Sequence, residues 1–159
     1  MESYKTYTVD EAKQKLEYYC AYQERCHDEV VAKLKAMKMI PEAIDLIVVH
    51  LLEHDFLNEE RFACSFARGK HRIKFWGRNR ITNELKFRNI SKYNIATALN
   101  EIPMEEYLDN FHKLAGTHWQ NMRENNPQKK RKKCCDFLLR KGFESNLVYE
   151  KMKDLEANF

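Results

Sequence analysis

Residues 33–51 read KLKAMKMIPEAIDLIVVHL, residues 84–102 read ELKFRNISKYNIATALNEI, and residues 137–155 read FLLRKGFESNLVYEKMKDL. Superposed without gaps at offsets of 51 and 53 residues, they give five columns: Leu34, Leu85, Leu138; Met39, Ile90, Phe143; Ile44, Ile95, Val148; Val48, Leu99, Met152; Leu51, Ile102, Leu155. Every column is apolar, the mark of an internal repeat whose copies bury equivalent positions. Each copy predicts a short helix, a tight turn and a second short helix, and Pro41 suits a first helical turn, where its missing N–H is not needed.

A longer amphipathic helix precedes each pair, over about 9–25, 58–75 and 104–124 by the periodicity of its apolar residues. The first opens with Thr8 and Glu11 spaced as a capping box. Asn58, followed by Glu59 and Glu60, supplies a side-chain cap and an acidic first turn for the second. The third carries Tyr107, Phe111, Leu114 and Trp119. The expected fold is all-α, with three tandem three-helix repeats at 1–56, 57–103 and 104–159 forming an elongated, curved array, since no single helix buries its own apolar face.

Composition agrees with this reading. The 159 residues are 43% hydrophobic, enough for a core, and contain only four Gly and three Pro. No apolar run approaches the roughly 18 residues of a membrane span, and the start lacks a signal-peptide centre, so a soluble, cytoplasmic monomer is expected. Cys20, Cys26, Cys64, Cys134 and Cys135 form no C-x-x-C pair and read as reduced thiols. The segment HLLEH, residues 50–54, matches an inverted zinc-peptidase pattern, but it ends its helix and Leu51 belongs to a core column; a His-rich helix terminus explains it better. Phosphate-cradling and nucleophile-elbow motifs are absent. No catalytic residue, metal or cofactor is expected.

The charge is localised. Between Glu60 and Glu84 stand seven cations without an acid: Arg61, Arg68, Lys70, Arg72, Lys74, Arg78 and Arg80. Wound as a helix, Phe62, Phe66, Gly69, Ile73 and Trp76 fall on one line and predict a buried seam. Arg61, Arg68 and Arg72 border it on one flank, Lys70 and Lys74 on the other. A second run, Lys129, Lys130, Arg131, Lys132 and Lys133, lies at a predicted helix start, where the dipole opposes cations. Contact with a polyanion explains both runs better than solvation alone, and Trp76, Phe75 and Tyr93 are candidates to stack on bases, although core packing is the expected role of Trp76.

Residues 56–86, FLNEERFACSFARGKHRIKFWGRNRITNELK, together with the repeat, resemble the regulatory protein RecX family, bacterial modulators of the RecA recombinase. The likeness rests on IVVHLLEHDFLNEERFA, the spaced Phe66 and Lys70, Trp76-Gly77 and RITNELKFRNI. It is strongest over about 34–102 and collinear to the C-terminus. The family tends to carry Lys-Gly before the turn, and here only Lys141-Gly142 keeps the glycine. The resemblance implies tandem three-helix repeats and a non-enzymatic role: binding along the RecA–DNA filament and inhibiting recombinase and ATPase activity. The seven cations of 61–80 and the five of 129–133 are the expected contact surface. The alternative is a stand-alone helical DNA-binding protein.

Overall fold

The computed structural model describes residues 5–157. Among them are nine helices and no strand: α1 (Val9–Tyr22), α2 (His27–Ala36), α3 (Pro41–Glu53), α4 (Glu59–Lys74), α5 (Arg78–Phe87), α6 (Lys92–Asn100), α7 (Met104–Asn121), α8 (Pro127–Lys141) and α9 (Ser145–Ala157). They form three successive three-helix units, α1–α3, α4–α6 and α7–α9. The chain exposes 10397 Å², against about 8,400 Å² for a compact monomer of this mass, as an array of small units should.

Local chemistry sets the boundaries. Thr8 and Glu11 form the reciprocal capping box, and Asn58, Ser91 and Asn126 each accept a backbone N–H of the helix they open. Helix α1 stops at Tyr22, three residues before the expected end, because Arg25 folds back: its Nε donates to the Tyr19 carbonyl at 3.1 Å and its guanidinium lies 3.7 Å from the Tyr19 ring centre. Helix α7 likewise ends at Asn121 rather than 124.

The repeat columns are core positions: all but Met39, Leu99 and Leu155 are buried, and those three pack partly buried against the same cores. Their first two columns have a specific cause. Lys38, Asn89 and Gly142, equivalent by offset, are all left-handed, with φ of 62°, 62° and 98°. After each, the next N–H reaches back to the first column: Met39 to Leu34, Ile90 to Leu85, Phe143 to Leu138. This is the Schellman termination, which brings an apolar residue just past the helix onto one in its last turn. The turn is therefore kept in all three copies, with glycine in one. A left-handed lysine costs about 1 kcal/mol relative to glycine. Lys38→Gly is accordingly expected to raise unfolding free energy by about that amount in urea titration, with the slope unchanged.

The helix α4 seam departs from expectation. Its buried residues are Phe62, Ala63, Cys64, Ala67 and His71, and Ile73 is 75% exposed. Helix α4 packs most extensively on α6, and the small Ala63 and Ala67, like Ala98 of α6, are fully buried, so the buried side of α4 is turned from the line of its largest residues. Phe66 and Trp76 remain at its edge, half-buried, in edge-to-face contact at 6.1 Å.

Two cores result. One fills α1–α3 around Leu16, Leu34, Ile47 and Leu51. The other runs continuously through α4–α9, from Phe62 and Leu85 to Phe111 and Met152, and takes in Cys26 from the first unit. Between first and second units, the joint is mostly polar. Arg61 binds Glu24 at 2.7 Å, Arg88 binds Glu29 at 3.0 Å, and the Asn89 amide donates to Asp28 at 2.9 Å.

Candidate interaction surface

The second joint positions the basic segment. A helix start leaves N–H groups without intrahelical acceptors, and Gly77, the cap of α5, has no side chain to help. The third unit supplies the acceptors. Gly77 N donates to the Lys141 carbonyl at 2.7 Å, Asn79 N to the Gly142 carbonyl at 2.9 Å, and Arg78 N to the Tyr107 hydroxyl at 3.0 Å. That hydroxyl in turn donates to Glu144. Burial and the Glu144 carboxylate hold the Tyr107 hydroxyl well above the ordinary phenol range, so it stays a donor. Fully buried His71 stacks on Tyr107 with ring centres 5.1 Å apart. Its Nδ1 lies 2.9 Å from the Trp76 carbonyl, which only accepts; Nε2 is then left to accept from the Asn110 amide at 3.1 Å.

Sequence reasoning did not single out His71 or Glu144 as members of this network. Apolar periodicity marked Tyr107 as core, and no spacing links residues 71, 107 and 144.

The cations of 61–80 divide into two groups. Arg61 pairs with Glu24 and, at 3.1 Å, with Asp55; Arg68 pairs with Glu101 at 3.1 Å. Arg72 grips Glu106 through two bonds of 2.6 and 3.1 Å. Arg78 lies 4.2 Å from the Tyr107 ring centre and 3.7 Å from Glu144. Arg72 holds the Glu106 carboxyl below the usual carboxylate range. The premise that this row has no acids to pair with therefore fails: except for Asp55, just before Arg61, the acids lie far along the chain.

The other group has no such partner. Lys70 and Arg80 flank Trp76, with Nζ 5.0 Å and Cζ 4.1 Å from its ring centre. Both atoms sit over the indole, so Trp76 is placed to carry cations rather than to stack on a base. Lys74 is exposed, and its carbonyl receives Lys141 Nζ at 3.0 Å. A shallow hollow lined by Arg80, Phe137, Arg140 and Lys141 continues the patch onto α8. Among the described residues, no carboxylate stands at ion-pair distance from Lys70, Lys74, Arg80, Arg140 or Lys141. Burial, then Arg80 and Lys74, push the Lys141 amine below its ordinary value, the mark of an uncompensated positive field. Arg140 and Lys141 were missed in sequence because 60 residues separate them from Arg80.

The run at 129–133 also divides. Lys130 is buried, with Nζ 4.4 Å from the Trp119 ring centre. Arg131 binds Glu156 at 3.0 Å and Lys133 binds Glu124 at 2.8 Å. Lys129 and Lys132 are exposed. Tyr93 is 74% exposed, and Phe75 is the left-handed cap of α4.

Elsewhere, His50 Nε2 meets Glu17 at 2.9 Å. The five thiols are free, and burial raises those of Cys20 and Cys134 to about 11. Among the described residues, no helix is long and apolar enough to cross a membrane.

Comparison with known proteins places two of the three units. Residues 58–99 match the second three-helix domain of RecX, and residues 105–152 the third, together more than half of the chain. The chain belongs to the RecX family. The regulatory protein RecX of Bacillus cytotoxicus is 24% identical over 138 residues, covering 87% of this chain and 51% of that one. A crystal structure of a regulatory protein RecX superposes with a TM-score of 0.77 at 25% identity, covering 92% of this chain and 73% of the other. RecX from Lactobacillus salivarius shares the fold, with a TM-score of 0.78 at 21% identity over 94% of this chain and 97% of that one. The chain spans about half the length of the curated RecX relatives it matches.

Proposed function

We propose that this RecX-family chain binds the RecA recombinase filament on DNA and inhibits or modulates its recombinase and ATPase activities. It acts as a cytoplasmic monomer without catalysis of its own, through repeats at 1–56, 57–103 and 104–159. Family membership carries the reading, and the unpaired cationic face supports it by offering a surface for phosphates beside the protein. Within the wider set of candidates, Lys70, Lys74 and Arg80, extended by Arg140 and Lys141, form the central contact, and Lys129 and Lys132 add to it. Arg61, Arg68, Arg72 and Arg78, already matched by carboxylates, contribute less free potential.

The test is binding to preformed filament, free RecA and bare DNA at two salt concentrations, with ATP hydrolysis followed in parallel. The filament is expected to bind more tightly than either component, and hydrolysis to fall as the chain is added. Equal affinity for bare DNA, with no effect of RecA, would instead establish a stand-alone DNA-binding protein.

A further inference from the structure

Helix α3 carries a surface of opposite character. Leu46, Val49 and Leu52 are 65%, 49% and 48% exposed. With Glu42, Asp45 and Glu53, also exposed, they fall within an arc of about 120° at helical spacing. Ile44, Ile47, Val48 and Leu51 occupy the opposite, buried side. Single exposed apolar residues need no explanation, but the repeat supplies a comparison. Leu46, Val49 and Leu52 correspond to Thr97, Asn100 and Pro103 in the second unit and to Glu150, Lys153 and Glu156 in the third. Of those six, only Pro103 lacks a polar side chain, so the first unit alone keeps an aliphatic ridge where its sister units face water.

The charge around it is reversed as well. Residues 1–57 hold 7 Lys or Arg against 11 Asp or Glu, whereas residues 58–159 hold 21 against 13. Among the described residues, none of Glu42, Asp45 and Glu53 has a cation at ion-pair distance. Three unmatched carboxylates repel a phosphate backbone, and three aliphatic side chains gain nothing from one. The fitting occupant is a protein surface with apolar side chains rimmed by Lys or Arg.

We propose that the outward face of α3 docks a recombinase subunit while the cationic face of the second and third units meets DNA phosphates. This rests on the filament reading above. Area favours that occupant over a second copy of the chain. Stable association between free molecules buries about 1,600 Å², far more than three side chains supply. A small apolar ridge becomes effective when a second contact already tethers the partners and raises their effective concentration. Exposed Phe87 and Tyr93 beside Lys86 and Lys92 give the chain an apolar-basic patch of its own, so self-association is the competing outcome.

The experiment uses the full chain carrying Leu46→Thr, Val49→Asn and Leu52→Lys. All three positions face solvent, so an unchanged circular dichroism spectrum and melting temperature are expected. The probes are cognate RecA without DNA, the filament on DNA, and DNA alone, with sedimentation of the chain by itself. Affinity for the filament on DNA, where the phosphate contact supplies the tether, is expected to fall about tenfold, the scale of losing buried interface anchors, RecA without DNA to bind both chains weakly, and affinity for DNA alone to stay unchanged. Unaltered binding to the filament on DNA overturns the proposal. So does concentration-dependent self-association of the parent chain that the variant abolishes, which would make a second copy the occupant. A parent chain that binds neither RecA form would sink the filament reading itself, a result separable from the other two.

Discussion

Gly77→Ala is expected to destabilise the protein by about 3 kcal/mol or more, at the upper end of overpacking effects, and to loosen the third unit from the second. The backbone angle is not the reason, since φ at Gly77 is −81°, where alanine is comfortable. Space is the reason. A Cβ at 77 would lie 2.4 Å from the carbonyl carbon and oxygen of Gly142 and 2.5 Å from Phe143 N. All three are backbone atoms of the turn between α8 and α9, and none swings aside as a side-chain tip would. Relief requires separating the turn from α5, which gives up the bonds from Gly77 and Asn79 and strains the Arg78–Tyr107–Glu144 chain behind them.

Gly69→Ala and Gly116→Ala are the controls. Apart from its chain neighbours and its own helix's backbone, no atom lies within 4 Å of a Cβ at either site, and both lie inside helices, where alanine is favoured by roughly 0.5–1 kcal/mol. Differential scanning calorimetry should therefore show the two controls melting at or above the parent temperature. Gly77→Ala should melt well below it. A parent-like melting temperature for Gly77→Ala would mean that the joint tolerates displacement and that the close backbone approach does not hold the units together.

The same joint marks how far the sequence could be read. Helix number, the Thr8 and Asn58 caps and twelve buried column positions follow from periodicity and spacing, because they depend on neighbours three to five residues away. The left-handed turn positions were half legible: Gly142 announces itself, while Lys38 and Asn89 adopt the same geometry because the flanking apolar pair and the Schellman bonds impose it. Ile73 was misplaced because a helical wheel assumes that the largest residues face inward. The buried side instead holds the small Ala63, Cys64 and Ala67 beside Phe62 and His71.

The charges were least legible. Arg68 and Arg72 lie on the helix as a free basic row would, but their partners Glu101 and Glu106 come from beyond α6, 33 and 34 residues away. Arg61 draws Glu24 from the preceding unit. No window along the chain contains both halves of these pairs. The fold therefore sorts cations that look alike in sequence into those matched by carboxylates and those without one.

That sorting predicts different outcomes for two sets of substitutions. Replacing Lys74, Arg80 and Arg140 by Gln is expected to weaken binding to the DNA-bound filament about tenfold to a hundredfold at physiological salt. The slope of log affinity against log salt should become shallower by up to about 0.9 for each cation that meets a phosphate. Melting temperature should change little, because no carboxylate loses its partner.

Replacing Arg61, Arg68 and Arg72 by Gln strands Glu24, Glu101 and Glu106 instead. Its expected effect is lower stability, most of it from partly buried Arg61, which also donates to the Asp55 and Phe56 carbonyls; the salt slope should remain near that of the parent. Because Arg72 depresses the Glu106 pKa, that pair contributes stability above the ordinary carboxylate range and loses it as pH falls through the lowered value. The Arg72 contribution should then be visible at neutral pH and absent in strong acid. If the paired row changed the salt slope and the unpaired patch did not, phosphate contact would belong to Arg61, Arg68 and Arg72, and their internal ion pairs would have to open on binding.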